Sequence, residues 1–166
     1  GLAAGPMTAL QPAVSGDAVF AAGGDGGVVR IEGGRTVWRA EAGQPLSAGV
    51  GSDGRLAVVV GSSGEVIALD AVSGTVRWKV SVSAEVLAPP AIDSGVVVIR
   101  TSDNRLFGLA EEDGKRRWVY QRATPPLALR SYSGVLARDG VAVAGFPGGK
   151  MVAVKLSNGG ALWELS

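Results

Sequence analysis

Short apolar runs recur along the chain in pairs, separated by small and polar residues. The first member of each pair reads "AVFAAG" (18–23), "LAVVVG" (56–61), "VVVIRT" (96–101) and "VAVAGF" (141–146). The second reads "GVVRIEGGRTVW" (27–38), "EVIALDAVSGTVRW" (65–78), "RLFGLAEEDGKRRW" (105–118) and "KMVAVKLSNGGALW" (150–163). Valine and alanine recur in most of these short runs, and glycine, serine and aspartate lie between them, which predicts strands joined by tight turns. Within the second pair Val66, Ala68 and Asp70 alternate with Ile67 and Leu69, the period-2 pattern expected of half-buried strands. The pairs Ser73-Gly74, Asp113-Gly114 and Asn158-Gly159 supply the turn chemistry between them.

The four tryptophans lie at 38, 78, 118 and 163, so successive gaps are 40, 40 and 45 residues. Each is preceded four positions earlier by glycine: Gly34, Gly74, Gly114 and Gly159. A period of this length marks a structural repeat. A single four-stranded sheet of about 40 residues cannot cover both of its faces, so neighbouring sheets must stack on it, which is the architecture of a β-propeller. The pattern predicts an all-β chain of four blades, over about 8–40, 46–80, 86–121 and 127–165, with no second domain. A large aromatic at the same place in every blade can bury roughly 150–250 Å² between adjacent sheets. Trp38, Trp78, Trp118 and Trp163, with their glycines, are therefore expected to be repeat anchors and not ligand-binding groups.

Composition narrows the chemistry. The 166 residues contain no cysteine and no histidine, which removes disulfides, thiolate and imidazole catalysis and ordinary zinc sites together. No metal site and no catalytic residue is expected, and no apolar run approaches the roughly 18 residues of a membrane helix. "GLAAG" at the start lacks the charged region and apolar run of a signal peptide, as in a soluble, processed chain. The net charge of +1 conceals an uneven distribution: residues 105–138 carry seven basic and three acidic side chains. Arg105, Lys115, Arg116, Arg117, Arg122, Arg130 and Arg138 are either a solvated face or a basic surface for an acidic partner. Nucleic acid is not expected, because aromatic stacking groups are few. "AGGDGGVV" (22–29) precedes a strand and not a helix, so it reads as a hairpin turn and not a phosphate loop; "GFPGGKM" (145–151) lacks the spacing of a nucleotide-binding loop.

The apolar run, Asp, Ser-Gly and Trp of "VIALDAVSGTVRW" resemble the repeat of pyrroloquinoline-quinone-like propellers. In the quinoprotein dehydrogenases that likeness would imply a quinone, a calcium ion and commonly a disulfide of adjacent cysteines. The chain has no cysteine and no dense cluster of calcium-ligand spacing, so no cofactor is expected. The other branch is the BamB family of outer-membrane assembly lipoproteins. Residues 84–163 resemble its blades 3 and 4, including the Leu-x-Leu-Arg loop between them, and the first two repeats are similar in their Gly and Trp pattern. Ala110 and Lys155 depart from the pattern, standing where repeat 2 has Asp70, and Glu32 holds that place in a repeat two residues shorter; a weaker turn is expected at each.

The gap between Trp118 and Trp163 is five residues longer than the others, and "TPPLALRSYSG" (124–134) lies inside it. Taken alone, Leu127 and Leu129 suit the core of blade 4 as well as an exposed contact. By resemblance, Leu127, Leu129 and Arg130 would contact the POTRA domains of BamA, in a noncatalytic scaffold of the BAM complex. Other BAM subunits, indirectly, and unfolded outer-membrane proteins would be further partners. The resemblance also implies the periplasmic face of the outer membrane, a lipid anchor not present in this sequence, and an eight-bladed ring of which this is the N-terminal half. An arc of four blades leaves two apolar faces uncovered, and self-association of two arcs into one ring is one way of covering them.

Overall fold

The computed structural model describes residues 9–121 and 134–166. Valine-rich runs and positive-φ turn residues give four antiparallel meanders, each running from an inner to an outer strand. Blade I comprises β1 (Ala13–Ser15), β2 (Ala18–Ala22), β3 (Gly27–Glu32) and β4 (Arg35–Glu41). Blade II comprises β5 (Leu46–Ser52), β6 (Leu56–Gly61), β7 (Glu65–Asp70) and β8 (Val76–Ser81). Blade III comprises β9 (Ala91–Asp93), β10 (Val96–Arg100), β11 (Arg105–Ala110) and β12 (Arg116–Gln121). Blade IV comprises β13 (Val135–Arg138), β14 (Val141–Phe146), β15 (Lys150–Lys155) and β16 (Ala161–Leu165). The inner strands β1, β5, β9 and β13 follow one another side by side, so the blades are arranged as successive sectors of a propeller.

The core consists of three layers, one in each seam between blades. Ala18, Phe20, Ala22 and Val28 of blade I meet Ala57, Val59, Ile67 and Leu69 of blade II. The other face of blade II presents Val58, Val60, Val66 and Ala68 to Val97, Ile99, Phe107 and Leu109 of blade III. Val96, Val98 and Leu106 then meet Ala142, Ala144, Phe146, Val152 and Val154 of blade IV. This corrects the expectation of half-buried strands. Val66, Ile67, Ala68 and Leu69 are all buried, because a central strand of an inner blade has a neighbouring sheet on each side.

All four blades repeat one irregularity. The register between the third and fourth strands shifts at Arg30/Ile31, Ala68/Leu69, Gly108/Leu109 and Ala153/Val154, just beyond the pairs that set Trp38, Trp78, Trp118 and Trp163 opposite Arg30, Ala68, Gly108 and Ala153. Such a bulge re-aims the side chains around it. Small residues face the indole in blades II to IV, and in blade III that residue is Gly108, where a Cβ would collide with the Trp118 ring.

Candidate functional site

Each indole in the first three blades is held by the next blade. Trp38 Nε1 donates to the Ala71 carbonyl at 2.9 Å, Trp78 Nε1 to that of Glu111 at 2.8 Å, and Trp118 Nε1 to that of Leu156 at 2.6 Å. The acceptor always lies three residues before a turn glycine, and the ring lies against that glycine. A Cβ on Gly74, Gly114 or Gly159 would approach the Trp38, Trp78 or Trp118 ring to 2.6, 2.5 or 2.7 Å. Each of these glycines has φ near +75°, which its own turn requires.

The turn survives the substitutions at Ala110 and Lys155. Gly74 N donates to Asp70 O, Gly114 N to Ala110 O and Gly159 N to Lys155 O, at 2.7–2.8 Å, so the closing bond belongs to the backbone. In blade II the Asp70 carboxylate adds bonds from the amides of Val72 and Ser73. In blades III and IV the side-chain acceptor moves to the residue before the glycine, where Asp113 accepts from Lys115 N and Asn158 from Gly160 N.

Blade I departs from this scheme. Its β3–β4 connection is the two-residue turn Gly33-Gly34, with φ of +58° and +77°, and a Cβ on Gly34 would meet nothing within 4 Å. The blade I turn is therefore shorter than the other three, and among the described residues no blade lies against it. On the opposite flank Trp163 is 42 % exposed, against 8 % for Trp78 and 7 % for Trp118, and Leu136, on the inner strand of blade IV, is 78 % exposed.

The basic residues that a single charged surface would need to bring together are divided by the pleat of β12. Arg116 faces a groove of about 330 Å³ with Arg105, Lys115, Val80 and Phe107. Arg117 instead faces a cleft of about 390 Å³ with Arg55, Arg77, Glu111 and Glu112. Arg105 is paired with Asp103 at 2.7 Å, and Arg138 lies 3.7 Å from Asp139. Arg122 and Arg130 lie outside the described residues, as do Leu127 and Leu129, in the segment that joins β12 to β13.

Sequence reasoning missed a carboxyl pair at the seam of blades II and III. Asp53, in the β5–β6 turn, hydrogen-bonds through its side chain to Glu111, in the β11–β12 turn. Burial, then the hydrogen bond to Asp53 and its charge, push the Glu111 carboxyl up to about 7. Burial opposes ionisation of Asp53 too, but the bond from Glu111 and the amides of Leu56 and Arg55 hold its carboxyl below the ordinary aspartate range. The two residues are 58 positions apart in sequence, and no local pattern links them. Among the described residues no group of three or more Asp, Glu, His or Cys side chains could hold a metal ion.

Comparison with known proteins agrees with the architecture. At the level of fold, the chain is similar to quinohemoprotein alcohol dehydrogenase ADHIIG from Pseudomonas putida HK5, with a TM-score of 0.75 and 17 % identity over 93 % of this chain and 33 % of that one. Similarity is much greater to the crystal structure of BamB from Moraxella catarrhalis, with a TM-score of 0.87 and 32 % identity over 93 % of this chain and 48 % of that one. Outer membrane protein assembly factor BamB of Nitrosomonas eutropha is 44 % identical over 98 % of this chain and 40 % of its own length. That of Bordetella pertussis is 39 % identical over 93 % of this chain and 40 % of its length. The chain thus spans about two fifths of the curated relatives it matches. The family model for outer membrane protein assembly factor BamB matches residues 24–166, and with these relatives it shows that the chain belongs to the BamB family.

Proposed function

We propose that the protein containing this chain is a noncatalytic scaffold of the outer-membrane β-barrel assembly machinery. It works at the periplasmic face of the outer membrane, docks on the POTRA domains of BamA and aids insertion of outer-membrane proteins. The observation that carries this reading is the family match over residues 24–166, within which Leu127-Ala128-Leu129-Arg130 has the Leu-x-Leu-Arg pattern. Physical chemistry supports the assignment of the contact. Two leucines at alternate positions project to one side of an extended segment, and an arginine fork beside them pairs with carboxylates or backbone carbonyls. Pro125 and Pro126 restrict the conformations the segment must give up on binding.

The test is titration of the full-length protein against purified POTRA domains. Leu127→Ala, Leu129→Ala and Arg130→Ala should each weaken binding, at a typical hot-spot cost of about 2 kcal/mol or more, with thermal melting unchanged. Equal loss of binding and of melting temperature in the leucine variants would place those side chains in a core instead. Unchanged affinity in all three would refute the docking role. The quinoprotein alternative is tested by absorbance: quinone added with calcium should leave the protein's spectrum unaltered.

A further inference from the structure

We propose that Asp53 and Glu111 form a proton-gated latch across the seam of blades II and III: sharing one proton they hold the two blades together, and without it they push them apart. Three features of the seam support this. First, the two carboxyl groups come from different blades and bond directly to each other, which requires that one of them be protonated. Second, Glu111 Oε1 is buried with no hydrogen-bond partner among the described residues, so a second negative charge there would meet no compensating donor. Third, Glu111 is fixed to the seam through its backbone. Its carbonyl accepts the Trp78 indole N–H at 2.8 Å and its amide donates to Gly95 O at 2.9 Å. Repulsion at the side chain therefore acts on the same residue that seats the anchor tryptophan.

The surrounding charges compensate the pair only in part. Arg55, from the Asp53 turn, and Arg77, from β8, act on Glu111 at a distance and favour its ionised form, but burial and Asp53 outweigh them. Arg77 is already committed to Asp70 at 3.1 Å. Glu112 and Arg117 line the same cleft and carry opposite charges. Because Glu111 titrates near 7 in the folded chain and near 4.5 when unfolded, the folded state holds the extra proton between those values. Stability must therefore fall as pH rises from about 4.5 through 7, and the loss is complete above the folded value. The chain has no histidine and no cysteine, so few other groups titrate in that range.

The experiment follows the Trp78 indole N–H resonance of the full chain from pH 5 to 8.5, together with the melting temperature. The expected result is a shift of that resonance with a midpoint near 7, accompanied by a melting temperature that declines from pH 5 to 7 and then levels off. Glu111→Gln, which keeps a donor toward Asp53 without a titrating proton, should abolish both changes. Asp53→Asn should move the midpoint down toward the ordinary glutamate range, and it decides the matter by itself if the Glu111 variant does not fold. A Trp78 resonance that is invariant with pH, or a shift that persists unaltered in both variants, would overturn the latch.

Discussion

Gly34 and Gly114 occupy the same place in the repeat, with φ of +77° and +76°, but of the two only Gly114 meets a tryptophan among the described residues of this chain. Replacing each by alanine therefore separates backbone strain from the packing of the seam. The left-handed conformation costs a side chain roughly 1–2 kcal/mol, and Gly34→Ala should cost about that much and no more. In Gly114→Ala the new methyl would also lie 2.5 Å from Trp78 Cε3 and 2.7 Å from Cδ2. The indole cannot retreat easily, since its N–H is bound to Glu111 O and its ring is 8 % exposed in a packed layer. Forcing an extra methyl into such a site typically costs about 1–3 kcal/mol, so Gly114→Ala should lose roughly 2–5 kcal/mol in all. Equilibrium urea unfolding measures both, and for a domain of this size each kcal/mol should also lower the melting temperature by about 2–4 °C. Trp78→Leu made together with Gly114→Ala should cost less than the sum of the single changes, because the smaller side chain vacates the space the methyl needs. Equal losses for Gly34→Ala and Gly114→Ala, or strict additivity of the double variant, would refute the account of the seam.

The other predictions rest on the same geometry. Trp78→Ala should cost roughly 3–5 kcal/mol in denaturant melts, as large aromatic truncations in cores do, whereas Trp163→Ala, at 42 % exposure in this chain, should cost far less. Trp118→Phe strips the Leu156 carbonyl of the donor it holds at 2.6 Å and should cost about 1–3 kcal/mol; a change near zero in urea unfolding would show that this carbonyl finds another partner. The amides of Ser73 and Val72, then Arg77, hold the Asp70 carboxyl below its ordinary value, so its contribution is present above about pH 4 and is lost as pH falls through the folded value. Asp70→Asn should therefore lower stability at neutral pH and flatten part of the acid limb of a stability-versus-pH curve, so that variant and parent converge at low pH.

The blades were legible in the sequence because Trp and Gly recur at a fixed distance, and stacking needs one large group and one gap at the same height in every sheet. The direction of each contact was not legible. Trp78 and Gly74 belong to one repeat, yet Trp78 meets Gly114 and Gly74 meets Trp38, and a periodic pattern is the same whichever neighbour is chosen. Val66 to Leu69 were read as half-buried because alternation with small residues looks the same whether a second sheet covers the far face or water does. Arg116 and Arg117 stood together as one basic run, although adjacent strand residues point to opposite faces, and the structure assigns them to different clefts. The Asp53–Glu111 pair joins two turns that only the stacking of blades brings together, and neither residue has a neighbour in sequence that marks it.

The three seam hydrogen bonds all run the same way, from the indole of the earlier blade to a turn carbonyl of the later one. The seat of each of these tryptophans is therefore built by the blade that follows it in sequence. A change in the β11–β12 turn reaches blade II through Trp78, while Trp118 of blade III keeps its own seat on Leu156 of blade IV. Damage at one turn thus travels backwards along the chain, one seam at a time.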